Sequence, residues 1–205
     1  MTVLKICGMT DLGLVKLAAN RGVSMLGFIL VPSSPRYCHP VMASEYIEWL
    51  RVCAPATKSV VVMVSDDPDE VRSAYDTLRP DFIQLHSNMN ATTFNQLGIS
   101  GLIKVFSVKA PLKESDILAY QADFYLFDTF KAGQSGGTGL SFDRSWLPLS
   151  VMPKTIIAGG LKPEDIPKLK SEFHPYAVDL NSRLEVRKGR KSPARIEKAI
   201  RFSYR

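Results

Sequence analysis

A closed barrel of eight strand and helix units, in one α/β domain spanning residues 1–205, is the fold class that this sequence predicts. Three observations predict it. Short, nearly continuous apolar runs recur along the chain and alternate with segments of helical character, the pattern of parallel strands covered on both faces. The strand count comes to eight, which favours closure over an open doubly wound sheet. A chain of 205 residues is long enough for one such barrel, and no linker, low-complexity tract or break in composition divides it.

The first strand is Val3-Leu4-Lys5-Ile6-Cys7, stopped by Gly8 and followed by Met9-Thr10-Asp11. Leu12, Val15, Leu17, Ala18 and Ala19 share one helical face, and Gly22 takes the usual stop position. Ser24 to Leu30 is an apolar strand that ends in the rigid loop Val31-Pro32-Ser33-Ser34-Pro35-Arg36. A helix is expected from Ala43 to Val52, a strand from Lys58 to Val64, and a helix from Asp69 to Leu78 opened by Pro68. Strand Asp81 to His86, short helix Ala91 to Leu97 and strand Gly101 to Val108 follow; helix signals then weaken over Leu112 to Tyr120. Asp123 to Asp128 is the sixth strand. Beyond it come a Gly-rich loop at Gly133 to Gly139, a short helix near Phe142 to Leu147, a strand at Thr155 to Ala158 and a helix at Pro163 to Phe173. The last strand is Ala177 to Asn181 and the closing helix Pro193 to Phe202.

Composition narrows the function classes. Hydrophobic residues make up 45% and charged residues 22%, ordinary globular usage, and the net charge of +6 favours an anionic partner, a phosphorylated metabolite as readily as a nucleic acid. Three cysteines, at positions 7, 38 and 53 and without a C-x-x-C, argue against a disulfide framework and a zinc ribbon, and imply a reducing compartment. Apolar runs such as Val60 to Val64 are far too short to span a bilayer, and the amino terminus lacks signal-peptide character, so a cytoplasmic protein is expected. His39, His86, Cys38 and Cys7 match no metal-ligand spacing. The five basic residues Arg183, Arg187, Lys188, Arg190 and Lys191 have no interleaved aromatic platform, which favours a solvated loop with one or two phosphate contacts over a nucleic-acid surface. A monomer and a homodimer are both compatible with the chain.

In a parallel barrel the chemistry sits at the carboxyl ends of the strands. There the sequence presents Cys7, the Arg36 loop, His86, Asp128, Gly159-Gly160 and Asn181-Ser182-Arg183. A thiol and a carboxylate facing one cleft from different strands is what a general base and a general acid require, although Cys7 alone reads as a small buried hydrophobe. Asp128 ends an apolar strand, which predicts partial desolvation of an acid; its bland alternative is a turn-capping carboxylate. Arg36 has a planar fork suited to a carboxylate or phosphate, but the loop by itself favours a solvated arginine. His86 reads as a hydrogen-bonded imidazole beside the cleft. Gly159-Gly160 before Pro163-Glu164-Asp165 offers exposed amides to a phosphate, whereas Gly136-Gly137-Thr138-Gly139 matches no phosphate-loop pattern.

Taken together, several segments resemble the phosphoribosylanthranilate isomerase family. They are Lys5-Ile6-Cys7-Gly8-Met9-Thr10, Leu26-Gly27-Phe28-Ile29 with Ser34-Pro35-Arg36, Gln84-Leu85-His86, Phe127-Asp128-Thr129, Gly136-Gly137-Thr138-Gly139, Ile157-Ala158-Gly159-Gly160-Leu161 and Val178-Asp179-Leu180. The resemblance implies a cofactor-free Amadori rearrangement of a small phosphorylated substrate in tryptophan biosynthesis, with Asp128 as general acid, Cys7 as general base, Arg36 on the anthranilate carboxylate and the ends of strands seven and eight on the phosphate. The chain departs from the family in three places. Asn181-Ser182-Arg183-Leu184-Glu185 stands where Ser-Ser-Gly-Val-Glu is usual, Ser87 where a Gly usually follows the His, and Gly189-Arg190-Lys191-Ser192 where the pattern ends in Asp, although Ser192 can still cap a helix. Losing a glycine at Arg183 raises the question of how the backbone approaches a phosphate, with the arginine charge as a possible compensation. Two other readings compete: a silent barrel relative that binds a phosphorylated ligand, and another phosphosugar isomerase or epimerase.

Overall fold

Alternation along each strand decides which residues face inward, and the barrel follows from it. In the computed structural model, which describes residues 2–129, 143 and 146–204, eight parallel strands hydrogen-bond in sequence order and the first closes on the last. They are β1 (Val3–Ile6), β2 (Met25–Ile29), β3 (Lys58–Val64), β4 (Phe82–His86), β5 (Leu102–Val108), β6 (Phe124–Thr129), β7 (Thr155–Ile157) and β8 (Ala177–Leu180). Met25, Val60, Val62, Ile103, Val105, Leu126, Ile156 and Ala177 fill the interior as one cluster. The residues of opposite parity, among them Leu4, Ile6, Leu26, Phe28, Ile83, Leu85 and Phe127, pack outward into the helical layer. Phe124 stacks on Tyr176 at 4.0 Å and meets Phe82 edge-on at 5.5 Å, closing the amino-terminal end with aromatic rings.

The helices are α1 (Leu12–Asn20), α2 (Pro40–Cys53), α3 (Pro68–Leu78), α4 (Ala91–Asn95), α5 (Glu114–Leu118), α6 (Ile166–Phe173) and α7 (Pro193–Ser203). Asp11, Asp67, Asn90 and Ser192 each accept a backbone N–H of the first turn of α1, α3, α4 and α7, so the cap expected of Ser192 forms. Helix α2 starts three residues before the expected Ala43, because His39 caps it and Pro40 supplies a ready-set first turn. The helix expected over Pro163 to Phe173 is divided into a 3-10 turn at Pro163–Asp165 and α6; Pro167 has no N–H to give the carbonyl of Pro163. A short antiparallel hairpin of β9 (Glu185–Arg187) and β10 (Arg190–Lys191) follows β8 and was not expected. The Gly133 to Gly139 loop, with Gly136-Gly137-Thr138-Gly139, and most of the Phe142 to Leu147 helix lie outside the described residues.

Register at the closed end is held by two aspartates that precede strands. Asp81 accepts from Ser59 N–H at 2.9 Å and Ser59 Oγ at 2.8 Å, and pairs with Lys58 at 3.1 Å. Asp123 accepts from the N–H groups of Gly101 and Leu102 at 3.0 and 2.9 Å. Each ties the start of its strand to the preceding one, and a slip of one residue there would turn every inward side chain outward. Partial burial pushes the Asp81 carboxyl up, but the Ser59 hydrogen bonds and Lys58 more than offset this and hold it below its ordinary 3.8. A carboxylate held low in the folded state stabilises above its unfolded pKa and loses that contribution as pH falls through the folded value. Asp81→Asn should therefore flatten the fall in stability below about pH 4, measured as urea midpoints across the acid range. An unchanged acid slope would remove Asp81 from the register anchor.

Candidate active site

Cys7 is the first residue beyond β1, buried at the carboxyl end of the barrel with its side chain in the interior cluster. It fits because its neighbour on β2 is Gly27: a Cβ on Gly27 would stand 2.9 Å from Cys7 Sγ and 3.1 Å from its Cα. One step deeper, Lys5 stands opposite Asp179 in the β1–β8 register, and its Nζ donates to Asp179 Oδ2 at 2.7 Å. Neither residue is meaningfully exposed. Burial pulls Lys5 down, yet the Asp179 carboxylate and the Cys7 thiol more than offset it, so the ammonium holds its proton. For Cys7, burial pushes the thiol up; Lys5 and Lys191 pull it down while Asp179 pushes it further up.

Arg36 departs from the expectation for a loop arginine. It is 7% exposed, and it forks onto Glu185 through Nε at 2.5 Å and Nη2 at 3.0 Å, 149 residues along the chain. This leaves the Nη1 edge of the guanidinium for a second planar acceptor. Glu185 also accepts from Gly189 N–H at 3.2 Å and lies 3.6 Å from Lys191 Nζ. Lys191, expected in a solvated loop, is buried instead and donates to the carbonyl and the Oδ1 of Asn181 at 3.2 and 2.9 Å. Burial brings its pKa down to about 8 despite Glu185. Gly8 threads between these groups at φ +72°, where a Cβ would stand 2.9 Å from both Arg36 Cδ and Asn181 Oδ1.

His86 ends β4, with Nε2 3.2 Å from the Gln84 amide nitrogen. Burial, with help from Lys5 and Lys104, lowers it to about 4, so it is a neutral imidazole near pH 7. Asp128 is half-buried near the end of β6, in the same inward row as Phe124 and Leu126 and opposite Ser107 of β5. The barrel therefore brings Cys7 and Asp128 to one mouth from strands on different sides. Gly159 and Gly160 follow β7 at φ +94° and +63°. Ser182–Leu184 forms a 3-10 turn after β8, and half-buried Arg183 directs Nε toward the Gly160 carbonyl at 3.4 Å. The lost glycine costs no backbone strain, since among the described residues the non-glycine positive φ values belong to Arg79 and His174.

Lys5, Asp179, Glu185 and Lys191 were not singled out as site residues by sequence. For the first two a signal was present: a charged residue at an inward position of an otherwise apolar strand.

Over residues 4–201 the sequence matches the family described as N-(5'-phosphoribosyl)anthranilate isomerase. The chain belongs to the phosphoribosylanthranilate isomerase family. The phosphoribosylanthranilate isomerase of Citrifermentans bemidjiense is 32% identical over 203 residues, 98% of this chain and 96% of the relative. That of Chlorobium phaeobacteroides is 33% identical over 218 residues, covering 100% of this chain and 98% of the relative. The crystal structure of phosphoribosyl anthranilate isomerase from Thermus thermophilus superposes with a TM-score of 0.86 at 29% identity, over the whole of both chains.

The Gly27 contact makes a direct test of how tightly the thiol is held. Gly27→Ala should cost about 1–3 kcal/mol of stability, because Sγ and the β1 backbone must both give way. Turnover should fall at the same time, as Cys7 is displaced. Full activity with unchanged urea stability would show that the thiol has room to spare.

Proposed function

We propose that this protein catalyses the Amadori rearrangement of N-(5-phosphoribosyl)anthranilate to 1-(2-carboxyphenylamino)-1-deoxyribulose 5-phosphate, with Asp128 as general acid and Cys7 as general base. The observation that carries the reading is the pairing of an inward thiol with an inward carboxylate at one mouth of a closed barrel. The family to which the chain belongs supports it.

The sequence of proton transfers follows from the chemistry of the groups. Asp128 protonates the furanose ring oxygen; the C1–O bond breaks and the nitrogen lone pair forms a protonated Schiff base. Its positive charge then acidifies the hydrogen on C2 and favours the anionic form of a nearby thiol, which burial otherwise disfavours. Cys7 removes that hydrogen, the C–H electrons form the enolamine double bond, and the enolamine tautomerises to the ketone. The Nη1 edge of Arg36 takes the anthranilate carboxylate, while Glu185 fixes the opposite edge and sets the plane of the fork. Backbone amides around Gly159, Gly160 and Ser182 hold the phosphate, with Arg183 and Asn181 at its rim. Neutral His86 takes part by hydrogen bonding to bound substrate.

Cys7→Ser and Asp128→Asn should each lower turnover at least ~10²-fold, with much smaller changes in the binding of a product analogue, since each removes a proton-transfer group. Near-normal turnover of freshly generated phosphoribosylanthranilate by Cys7→Ser would give the base to another residue. Arg36→Ala should weaken anthranilate-bearing ligands more than ribulose 5-phosphate, which has no carboxylate to offer. Equal losses in a binding titration would make Arg36 a scaffold for the Glu185 hairpin instead.

A further inference from the structure

A lysine in the middle of a barrel interior calls for a reason beyond stability. A buried ion pair is seldom worth more than a well-packed apolar pair of the same volume. Lys5 has no exposed surface, and Asp179 accepts only one of its three N–H bonds. The pair is not closed on itself either, because Asp179 Oδ1 is buried with no hydrogen-bond partner among the described residues. Lys5 and Cys7 are alternate residues of one strand, so both side chains face the interior and the thiol is the next group toward the mouth. Gly27 walls the sulfur on the β2 side.

The charges facing this sulfur come from several elements. Lys5 lies beneath it on β1, Asp179 of β8 stands opposite Lys5, and Lys191 of β10 adds a second cation acting on the sulfur. Arg36 and Glu185 pair with each other beyond Lys191. His86 of β4 lies within the field of Lys5 but is neutral, and Asp128 lies near the end of β6. Two cations, Lys5 and Lys191, and one carboxylate, Asp179, thus act on the sulfur, and an anionic sulfur balances them.

We propose that Lys5 is a positioning residue of the reaction: anchored by Asp179, its ammonium directs the sulfur of Cys7 toward the mouth and stabilises it as the thiolate that accepts the C2 proton. The inference rests on Cys7 being the base. In the step itself the C2–H bond breaks and an S–H bond forms. The C–H electron pair enters the enolamine, and Lys5 keeps its proton throughout.

The test measures the thiolate apart from turnover. In a Cys38→Ala, Cys53→Ser background, the pH dependence of the alkylation rate with iodoacetamide reports Cys7 alone, and the pH profile of kcat/KM is recorded beside it. Lys5→Met should move the alkylation midpoint and the acidic limb of kcat/KM upward by at least about one pH unit, with kcat falling more than KM changes. Asp179→Asn leaves Lys5 in place and removes the opposing carboxylate, so it should move the midpoint the other way. Opposite shifts mark an electrostatic role, which a loss of packing does not produce. Equal midpoints in all three proteins, or shifts in one direction for both variants, overturn the proposal. If Lys5→Met fails to fold, the direction of the Asp179→Asn shift decides. If the alkylation midpoints move as expected while the kcat/KM profiles stay where they are, Lys5 sets the thiolate but Cys7 is not the base, and the functional reading fails instead.

Discussion

Lys5 and Asp179 meet across the seam where the first strand closes on the last, and the remainder of the open end is arranged from that contact. The four register pairs between β1 and β8 run from Val3↔Ala177 to Ile6↔Leu180, so Cys7 emerges beside Asn181. Among the described residues Lys5 and Asp179 are the charged pair in the middle of the interior, and Gln84 of β4, two residues before His86, is polar but uncharged. The seam is thus both a backbone ladder and an electrostatic joint, and it sets where the thiol stands.

From Asn181 the same arrangement continues outward. Lys191 binds Asn181 and approaches Glu185, Glu185 forks onto Arg36, and Arg36 closes over Gly8 at the end of β1. Segments from two distant parts of the chain, namely the β1 turn and the proline loop after β2 on one side and the β8 turn and the hairpin on the other, are locked together by these contacts. Each member is largely excluded from water, so each is held by its partners rather than by solvent, and loosening one exposes an unpaired charge to a low-dielectric surrounding.

Periodicity and turn residues carried the strands, their order and the positions of Cys7, Asp128 and Gly159-Gly160, because these depend on near neighbours in the chain. The partner of Arg36 did not show itself, since 149 residues separate it from Glu185 and no local pattern links them. For the same reason a loop arginine looked solvated and Lys191 looked like one more surface charge. The family pattern points to a left-handed residue at Arg183, whereas the 3-10 turn here accepts any side chain. Pro167 carries a local signal for the division of the helix after Pro163.

The separation of 174 residues between Lys5 and Asp179 has a consequence for biosynthesis. Joining segments so distant incurs the loop entropy of nearly the whole chain, and during translation the partner does not exist until the last strand leaves the ribosome. A nascent chain that already contains Cys7 therefore has an isolated lysine and an ordinary thiol on an unpaired strand edge. The charged surroundings of the sulfur are assembled in the same event that removes the two edges of the sheet. The setting of the sulfur and the closure of the barrel arrive together, and a chain that stops before β8 carries the cysteine without that setting.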